Sequence, residues 1–148
     1  MRKILVMGLP GSGKTTLSIA LAKAMNAVHF NADEIRSKIN KDLTFELDDR
    51  VEHARRMGVL CDIVNRMGVY AIADFVCPTE ETRKAFGARD AYVILTTRKP
   101  VRNYPDTTEL FTRPSEYHMK VDESQELDYW VDRIYGNIKS IEQKDYEI

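Results

Sequence analysis

One segment near the N-terminus reads Gly8-Leu9-Pro10-Gly11-Ser12-Gly13-Lys14-Thr15, and it matches the pattern G-x-x-x-x-G-K-[ST] at every position. Its small residues let successive backbone N–H groups turn inward around a phosphate. Lys14 is expected to reach the β- and γ-phosphates of a nucleotide, the Thr15 hydroxyl to ligate Mg²⁺, and Thr16 to contact the α-phosphate. The segment therefore predicts a binding site for a nucleoside triphosphate. Its expected phosphate ligands are Gly11, Ser12, Gly13, Lys14, Thr15 and Thr16.

The residues on either side of this segment have the periodicity of a strand and of a helix. Before it, Lys3-Ile4-Leu5-Val6-Met7 is a short apolar run, which predicts a buried strand that stops at Gly8. After it, from Lys14 to about Met25, apolar residues recur on one helical face. Such a helix points its positive N-terminal end at a bound phosphate. A glycine-rich turn without a ligand is the alternative, and the strand–loop–helix context favours the phosphate site.

Strand and helix signals alternate along the rest of the chain, which favours a mostly parallel sheet covered by helices. Further strands are predicted over residues 28–30, 69–76, 91–95 and, at an edge, 117–121. Further helices are predicted to begin at Asn31 or Asp33, to run from 48 to 67 and from the Thr79 cap to about 86, and to follow the apolar stripe 127–138. We expect an α/β fold of the three-layer P-loop NTPase or kinase type, with a central, mostly parallel sheet of about five strands flanked by helices.

Length and composition indicate one soluble domain. The 148 residues contain no repeat and no linker, so we expect a single domain over 1–148, and the polar, proline-containing segment at about 97–116 is expected to be a long lid or acceptor loop. No apolar run has the length of a membrane helix, and the N-terminus does not resemble a secretory signal. The 22 basic and 23 acidic residues leave a net charge of -1, without the basic field that grips nucleic acid. Two cysteines are too few for a disulfide framework, so we expect a cytoplasmic protein.

The segment Asn31–Arg36 follows the second predicted strand, where an open parallel sheet binds its ligands. Asp33 would take a proton from an acceptor hydroxyl or orient Mg²⁺, or it would only cap a helix. Arg36 lies one turn further and faces the same way. It would hold an anionic acceptor by two parallel hydrogen bonds, or it would be a solvated side chain.

Asp74 lies near the end of the third predicted strand. If that strand neighbours the first, Asp74 would hold a Mg²⁺-bound water as a Walker B acid does; alternatively, it is a buried and hydrogen-bonded acid. His29 and His118 are expected to be ordinary strand residues, because the histidines have no metal-ligand spacing. A group of arginines at 50, 55 and 56 is interleaved with acids and is expected to be mostly a solvated, self-paired helix face.

Taken in order, five segments resemble the motifs of the adenylylsulfate kinase family, whose members phosphorylate the 3′-hydroxyl of adenosine 5′-phosphosulfate (APS) with Mg-ATP. The family's G-L-x-G-[SA]-G-K-[ST]-T, D-G-D-N-[IV]-R and L-G-F-S-x-x-D-R-x-E-N-x-R-R resemble Gly8–Thr16, Asn31–Arg36 and Leu43–Arg56. Its A-F-[IV]-S-P and F-T-G resemble Asp74–Pro78 and Phe111–Arg113. The similarity covers about the first two thirds of the chain, and the ordered spacing carries it.

The resemblance implies a role for several residues and several ligands. Lys14 and Asp33 would be catalytic, with Asp33 matching the family's acid. The acceptor would be bound by Arg36 and Arg50 and by two aromatic rings that sandwich its adenine; these four residues are Arg36, Phe45, Arg50 and Phe111. The residues themselves, apart from the resemblance, make Thr15 the expected Mg²⁺ ligand, with Asp33 and Asp74 as further candidates. The resemblance implies that ATP is the co-substrate. Members of the family are often dimers, which suggests a homodimer.

Four features depart from the family pattern. His53 replaces the Asn that helps bind the acceptor, Cys77 replaces the strand-end Ser, and Asp74 stands where Ala is usual. The basic lid segment is shortened to 97–104, and Arg98, Lys99, Arg102 and Arg113 are the cations that would replace its charge.

We therefore expect phosphoryl transfer from Mg-ATP to a hydroxyl of a small, anionic, nucleotide-like acceptor, with APS as the first choice. A polynucleotide 5′-hydroxyl kinase is the nearest alternative, because Asn31–Arg36 also fits an N-x-D-x-x-R segment, although the near-neutral charge argues against it. A nucleotide-binding regulator without transfer activity is the alternative from another class. The sequence leaves these alternatives open.

Overall fold

A computed structural model describes residues 2–99 and 105–146. Five strands form one sheet: β1 (Lys3–Gly8), β2 (Val28–Asn31), β3 (Ala71–Asp74), β4 (Tyr92–Thr96) and β5 (Met119–Val121). Six helices accompany them: α1 (Lys14–Met25), α2 (Ala32–Lys38), α3 (Leu47–Asn65), α4 (Glu80–Phe86), α5 (Pro105–Leu110) and α6 (Leu127–Tyr146). None of the helices in the described residues has the length and hydropathy of a membrane span.

All pairs of neighbouring strands are parallel, and the order across the sheet is β2-β3-β1-β4-β5. The apolar strand before the phosphate-binding segment thus lies in the middle of the sheet, as its continuous hydrophobicity predicts. Because β3 neighbours β1, Val6 pairs with Asp74 in the register of these two strands. The carboxyl ends of β1, β2 and β3 therefore meet at one edge, which is where ligands bind in such sheets.

Side chains of the central strand β1 point alternately to the two faces of the sheet. Each face packs into its own apolar core. Leu5 and Met7 pack on one side of the sheet with residues of α2, α3 and α4. Ile4 and Val6 pack on the other side with residues of α1 and α6, including the buried Trp130. The expected three-layer α/β architecture is confirmed.

The prediction of a long loop over 97–116 is wrong in part, because α5 (Pro105–Leu110) lies within it. This helix has only six residues and none of them is buried, so it has no apolar stripe that could reveal it in the sequence. The predicted strand over 69–76 is also shorter, with β3 spanning Ala71–Asp74. The predicted cap of α4 is confirmed, since Thr79 and Thr82 form a reciprocal capping box.

Candidate active site

The segment between β1 and α1 folds into a compact loop. Its glycines allow the backbone conformation that this loop needs. Gly11 and Gly13 have φ angles of +78° and +91°, a backbone region that side-chain-bearing residues rarely adopt. Ser12 is buried, and its hydroxyl lies 2.6 Å from the Thr96 hydroxyl on β4, which fastens the loop to the sheet. The loop therefore offers a fixed array of backbone amides in front of the α1 N-terminus.

Lys14 begins α1 and turns its side chain back over this loop. Its Nζ donates to the Leu9 carbonyl at 2.9 Å, and the residue is only 9% exposed. Burial lowers the pKa of Lys14 to about 8, and the nearby carboxylates of Asp74 and Asp33 oppose that shift. A desolvated ammonium of this kind binds a phosphate more strongly than a hydrated one, because the anion replaces lost solvation.

Asp74, at the carboxyl end of β3, is 2% exposed and has three hydrogen-bonding neighbours. The Thr15 hydroxyl donates to its Oδ1 at 3.2 Å, and the Asn31 amide reaches both of its oxygens at 3.3 Å. The His29 Nε2 lies 2.5 Å from its Oδ2. Asp74 is thus both a buried, hydrogen-bonded acid and the carboxylate that faces the Thr15 hydroxyl.

These oxygens fit Mg²⁺ better than a transition metal. Within residues 2–99 and 105–146, no three His, Cys, Asp or Glu side chains converge into a site that would hold a metal ion by side chains alone. Mg²⁺ in nucleotide sites needs only one or two protein oxygens, because water and the phosphates complete its shell. Thr15 and Asp74 supply oxygens of that kind.

A cleft of about 830 Å³ opens above the carboxyl ends of the strands and joins the two halves of the predicted site. Its lining includes Lys14, Asp74, Asp33, Phe45 and Arg50. The phosphate-binding loop, the expected catalytic acid and two of the four expected acceptor-binding residues therefore line one cavity, whereas Arg36 and Phe111 line neighbouring cavities. Pro105, Asp106 and Thr107 of α5 also border this cleft.

Asp33 is the second residue of α2, and Asn31 is the N-cap of that helix. The Asn31 side chain accepts from the Glu34 backbone N–H at 3.0 Å. The interpretation of Asp33 as the helix cap is therefore wrong. The Asp33 carboxylate is exposed and faces the cleft.

Two arginines lie near the ring of Phe45, which is 65% exposed and lines the cleft. The guanidinium carbons of Arg36 and Arg50 lie 4.4 Å and 5.5 Å from its ring centroid. Each guanidinium donates one hydrogen bond within the described residues, Arg36 to the Thr44 carbonyl and Arg50 to the Phe45 carbonyl. Burial lowers the pKa of both groups, and both retain N–H donors for an anion.

Phe111 is not brought to the same cavity as Phe45. It lines a neighbouring cavity of about 320 Å³ together with Leu9, Arg98 and Arg113. The expected adenine sandwich between the two rings stays a prediction.

Arg98 lies over the phosphate-binding loop, because its Nη1 is 3.6 Å from the position that a Cβ on Gly13 would take. Arg102 lies outside the described residues.

The expected self-paired face of α3 is confirmed for two of its arginines. Arg55 donates to Glu52 at 2.7 Å, while Arg56 bonds both Glu52 and Asp42. Arg50 differs, because it turns toward the cleft.

Two histidines have contacts that their sequence positions do not reveal. His29 is not the ordinary strand residue that the sequence predicts, because it lies against Asp74 where β2 and β3 are neighbours. His53 is 3% exposed and lines a small cavity with Arg36, Phe45 and Arg50. Its Nδ1 lies 2.9 Å from the Asn40 amide nitrogen. No residue pattern signals either contact, since each depends on the folded arrangement.

The model of one known protein family matches most of the chain. A model of the adenylylsulphate kinase family matches residues 2–110. The chain is 36% identical over 87 residues to adenylyl-sulfate kinase 4, chloroplastic, of Arabidopsis thaliana, a match that covers 55% of this chain and 28% of that protein. It is 35% identical over 94 residues to the adenylyl-sulfate kinase of Oceanobacillus iheyensis, covering 58% of this chain and 47% of that protein. The matches thus span less than half the length of these curated relatives.

Solved structures share the fold at low sequence identity. The Mycobacterium tuberculosis APS kinase in complex with AMPPNP and APS superposes with a TM-score of 0.81 at 16% identity, covering 93% of this chain and 97% of that chain. A sugar kinase from Janibacter superposes with a TM-score of 0.73 at 17% identity, covering 94% and 95%. An APS kinase and a sugar kinase therefore share this architecture.

Proposed function

The chain belongs to the adenylylsulphate kinase family, and from that premise we propose that it transfers the γ-phosphoryl group of Mg-ATP to the 3′-hydroxyl of adenosine 5′-phosphosulfate. The observation that carries this proposal is the shared cleft of about 830 Å³, which Lys14, Asp33 and Arg50 all line. A phosphoryl donor and an anionic acceptor need to meet in a single site of this kind.

The donor side is held by the phosphate-binding loop. Its amides and the ammonium of Lys14 bind the β- and γ-phosphates and balance the charge of the transferring group. The Thr15 hydroxyl and the Asp74 carboxylate would hold Mg²⁺, which would supply further charge neutralisation. Asp33 is a third candidate for contact with the metal.

The acceptor side is formed by Asp33, Arg36, Phe45 and Arg50. The two guanidiniums bind the acceptor's anionic group, and Phe45 stacks on its base. Phe111, on the adjoining cavity, is proposed as the second ring against that base. The acceptor oxygen attacks the γ-phosphorus, the bond to the β–γ bridging oxygen breaks, and the hydroxyl proton passes to the Asp33 carboxylate.

We propose that Arg98 and Arg113 supply the positive charge that the shortened lid segment lacks. Both line the cavity beside Leu9 of the phosphate-binding loop, and Arg98 lies closest to Gly13. Their guanidiniums would stabilise negative charge on the nucleotide during transfer.

The proposal is tested by incubating the purified chain with labelled ATP, Mg²⁺ and APS, with an oligonucleotide as a parallel acceptor. We expect label on APS. Label on the oligonucleotide alone would reverse the assignment in favour of a polynucleotide 5′-hydroxyl kinase. Binding of ATP without transfer to either acceptor would indicate a nucleotide-binding regulator.

Two variants assign the roles within the cleft. Lys14→Ala is expected to abolish ATP binding, because the loop loses its only ammonium.

Asp33→Asn is expected to bind ATP normally and to lower kcat by about 100-fold or more, because the proton acceptor is lost. Glu34→Gln is the matched control, since Glu34 is exposed and pairs only with Lys38 among described side chains. Wild-type turnover in Asp33→Asn would remove Asp33 from the mechanism.

A further inference from the structure

His29 and Asp74 form a hydrogen-bonded pair that the proposed phosphoryl transfer does not itself require. The imidazole Nε2 lies 2.5 Å from Asp74 Oδ2, and the two side chains are 16% and 3% exposed. The contact reaches diagonally between strands, because Asn31 is the residue opposite Asp74 and Ile72 is the residue opposite His29. An apolar residue at position 29 would satisfy the sheet equally well.

The hydrogen bonds indicate which imidazole nitrogen of His29 donates and which carboxylate oxygen of Asp74 accepts. An ionised carboxylate only accepts, so Nε2 is the donating nitrogen of His29. It engages Oδ2, while Oδ1 accepts from the Thr15 hydroxyl at 3.2 Å. The Asn31 amide lies 3.2 Å from the Thr15 oxygen and 3.3 Å from each Asp74 oxygen, which closes the cluster. Among the described residues, loss of His29 would leave Asp74 with the longer contacts to Thr15 at 3.2 Å and to Asn31 at 3.3 Å, and Oδ2 would keep only the Asn31 contact.

We propose that His29 is a positioning residue that locks the Asp74 carboxylate with one oxygen facing Thr15, and thereby strengthens binding of the divalent cation carried by the nucleotide phosphates. Partners of this kind orient groups around a metal, and their loss commonly lowers metal affinity by about 10- to 100-fold. The inference rests on the proposed function for its nucleotide, but not on the identity of the acceptor.

The test measures the gain in nucleotide affinity that Mg²⁺ provides. Calorimetry gives the Kd of AMPPNP with saturating Mg²⁺ and with EDTA, and the ratio of the two is the cation dependence. We expect His29→Leu to reduce this ratio by about 10-fold and to leave the Kd in EDTA unchanged. His29→Gln is expected to restore most of the ratio, because its amide donates at nearly the same reach.

Two further variants separate positioning from a general loss of structure. His29→Asn keeps a polar side chain that is too short to reach Asp74 Oδ2, so it should behave like His29→Leu even if the leucine variant folds poorly. In the Asp74→Asn background, His29→Leu should change the ratio no further, because its effect passes through Asp74. Thermal unfolding of each variant reports stability separately.

Distinct outcomes overturn the inference and the proposed function. A cation dependence equal to that of the wild type in His29→Leu and His29→Asn, whatever their melting temperatures, would make His29 merely structural and sink the inference. An equal effect of His29→Leu with and without Asp74 would do the same. Wild-type protein that shows the expected ratios but transfers nothing to APS would overturn the proposed acceptor and leave the role of His29 supported.

Discussion

His53 is a titratable residue that the fold keeps uncharged. Asn40 Oδ1 accepts from Arg56 at 3.1 Å, so the Asn40 amide nitrogen donates to His53 Nδ1 and the imidazole proton lies on Nε2. That Nε2 makes no hydrogen bond of ordinary geometry within the described residues, although the nearby Ala32 backbone favours the charged imidazole. Burial, and then the charge of Arg36, lower the pKa of His53 to about 4. Folding therefore competes with protonation at this residue.

We predict that this competition makes stability fall in mild acid. Between its unfolded pKa of 6.5 and its folded pKa of about 4, His53 binds a proton more readily in the unfolded chain. Its contribution is thus complete above pH 6.5 and is lost as the pH falls toward 4, by about 3 kcal/mol at most. The measurement is urea unfolding at several pH values in that window.

His53→Asn is the comparison, because asparagine does not titrate. The variant is expected to be less stable than the wild type at pH 7 and to show a flatter pH dependence. Parallel curves for the two proteins between pH 4 and 6.5 would contradict the assignment of the slope to His53.

At the scale of elements, α3 and α4 pack closely through a glycine. A Cβ on Gly58 of α3 would lie 2.3 Å from the Phe86 carbonyl oxygen at the end of α4. That neighbour is backbone, so it cannot swing aside as a side chain can. In contrast, a Cβ on Gly136 of α6 would meet no atom within 4 Å.

These two helical glycines predict opposite effects of the same substitution. Gly58→Ala should destabilise by about 1–3 kcal/mol, because α4 must shift to make room. Gly136→Ala should stabilise by about 0.5–1 kcal/mol, because alanine favours the helix and occupies open space. Urea unfolding of the two variants beside the wild type is the measurement. A stabilised Gly58→Ala would show that α3 and α4 are less closely packed than described.

The elements and sites that the sequence predicts are those encoded by neighbouring residues. The strand, loop and helix around Lys14 are a local pattern, and so is the Thr79 cap; both are found where expected. The six-residue α5 has no buried side chain, so no periodicity marks it. The pairing of His29 with Asp74 depends on β2 lying beside β3, a long-range property that no local pattern encodes.

For the whole molecule, the two cysteines report on the integrity of one core. Cys61 and Cys77 are both fully buried on the side of the sheet that packs against α2, α3 and α4. Burial raises the pKa of each thiol to about 12. Since the thiolate is the reactive form, both groups are expected to be inert in the folded protein.

We predict that iodoacetamide labels neither thiol at pH 8 until the protein unfolds. In a urea series, both cysteines should become reactive together, at the midpoint seen by circular dichroism, because a small single domain unfolds cooperatively. The folded state should also lose stability as the pH rises from 9 toward 12, since only the unfolded thiols ionise there. Labelling of one thiol well below the unfolding midpoint would instead indicate local opening around that cysteine.

The central sheet separates two apolar cores. Helix α1, which begins with Lys14, packs on the core that also contains residues of α6, whereas α2 and α3, which carry Asp33, Arg36 and Arg50, pack on the opposite core. Under the proposed function, substitutions in the second core would therefore act first on the acceptor side, and substitutions in the first core would act first on the hold on the nucleotide.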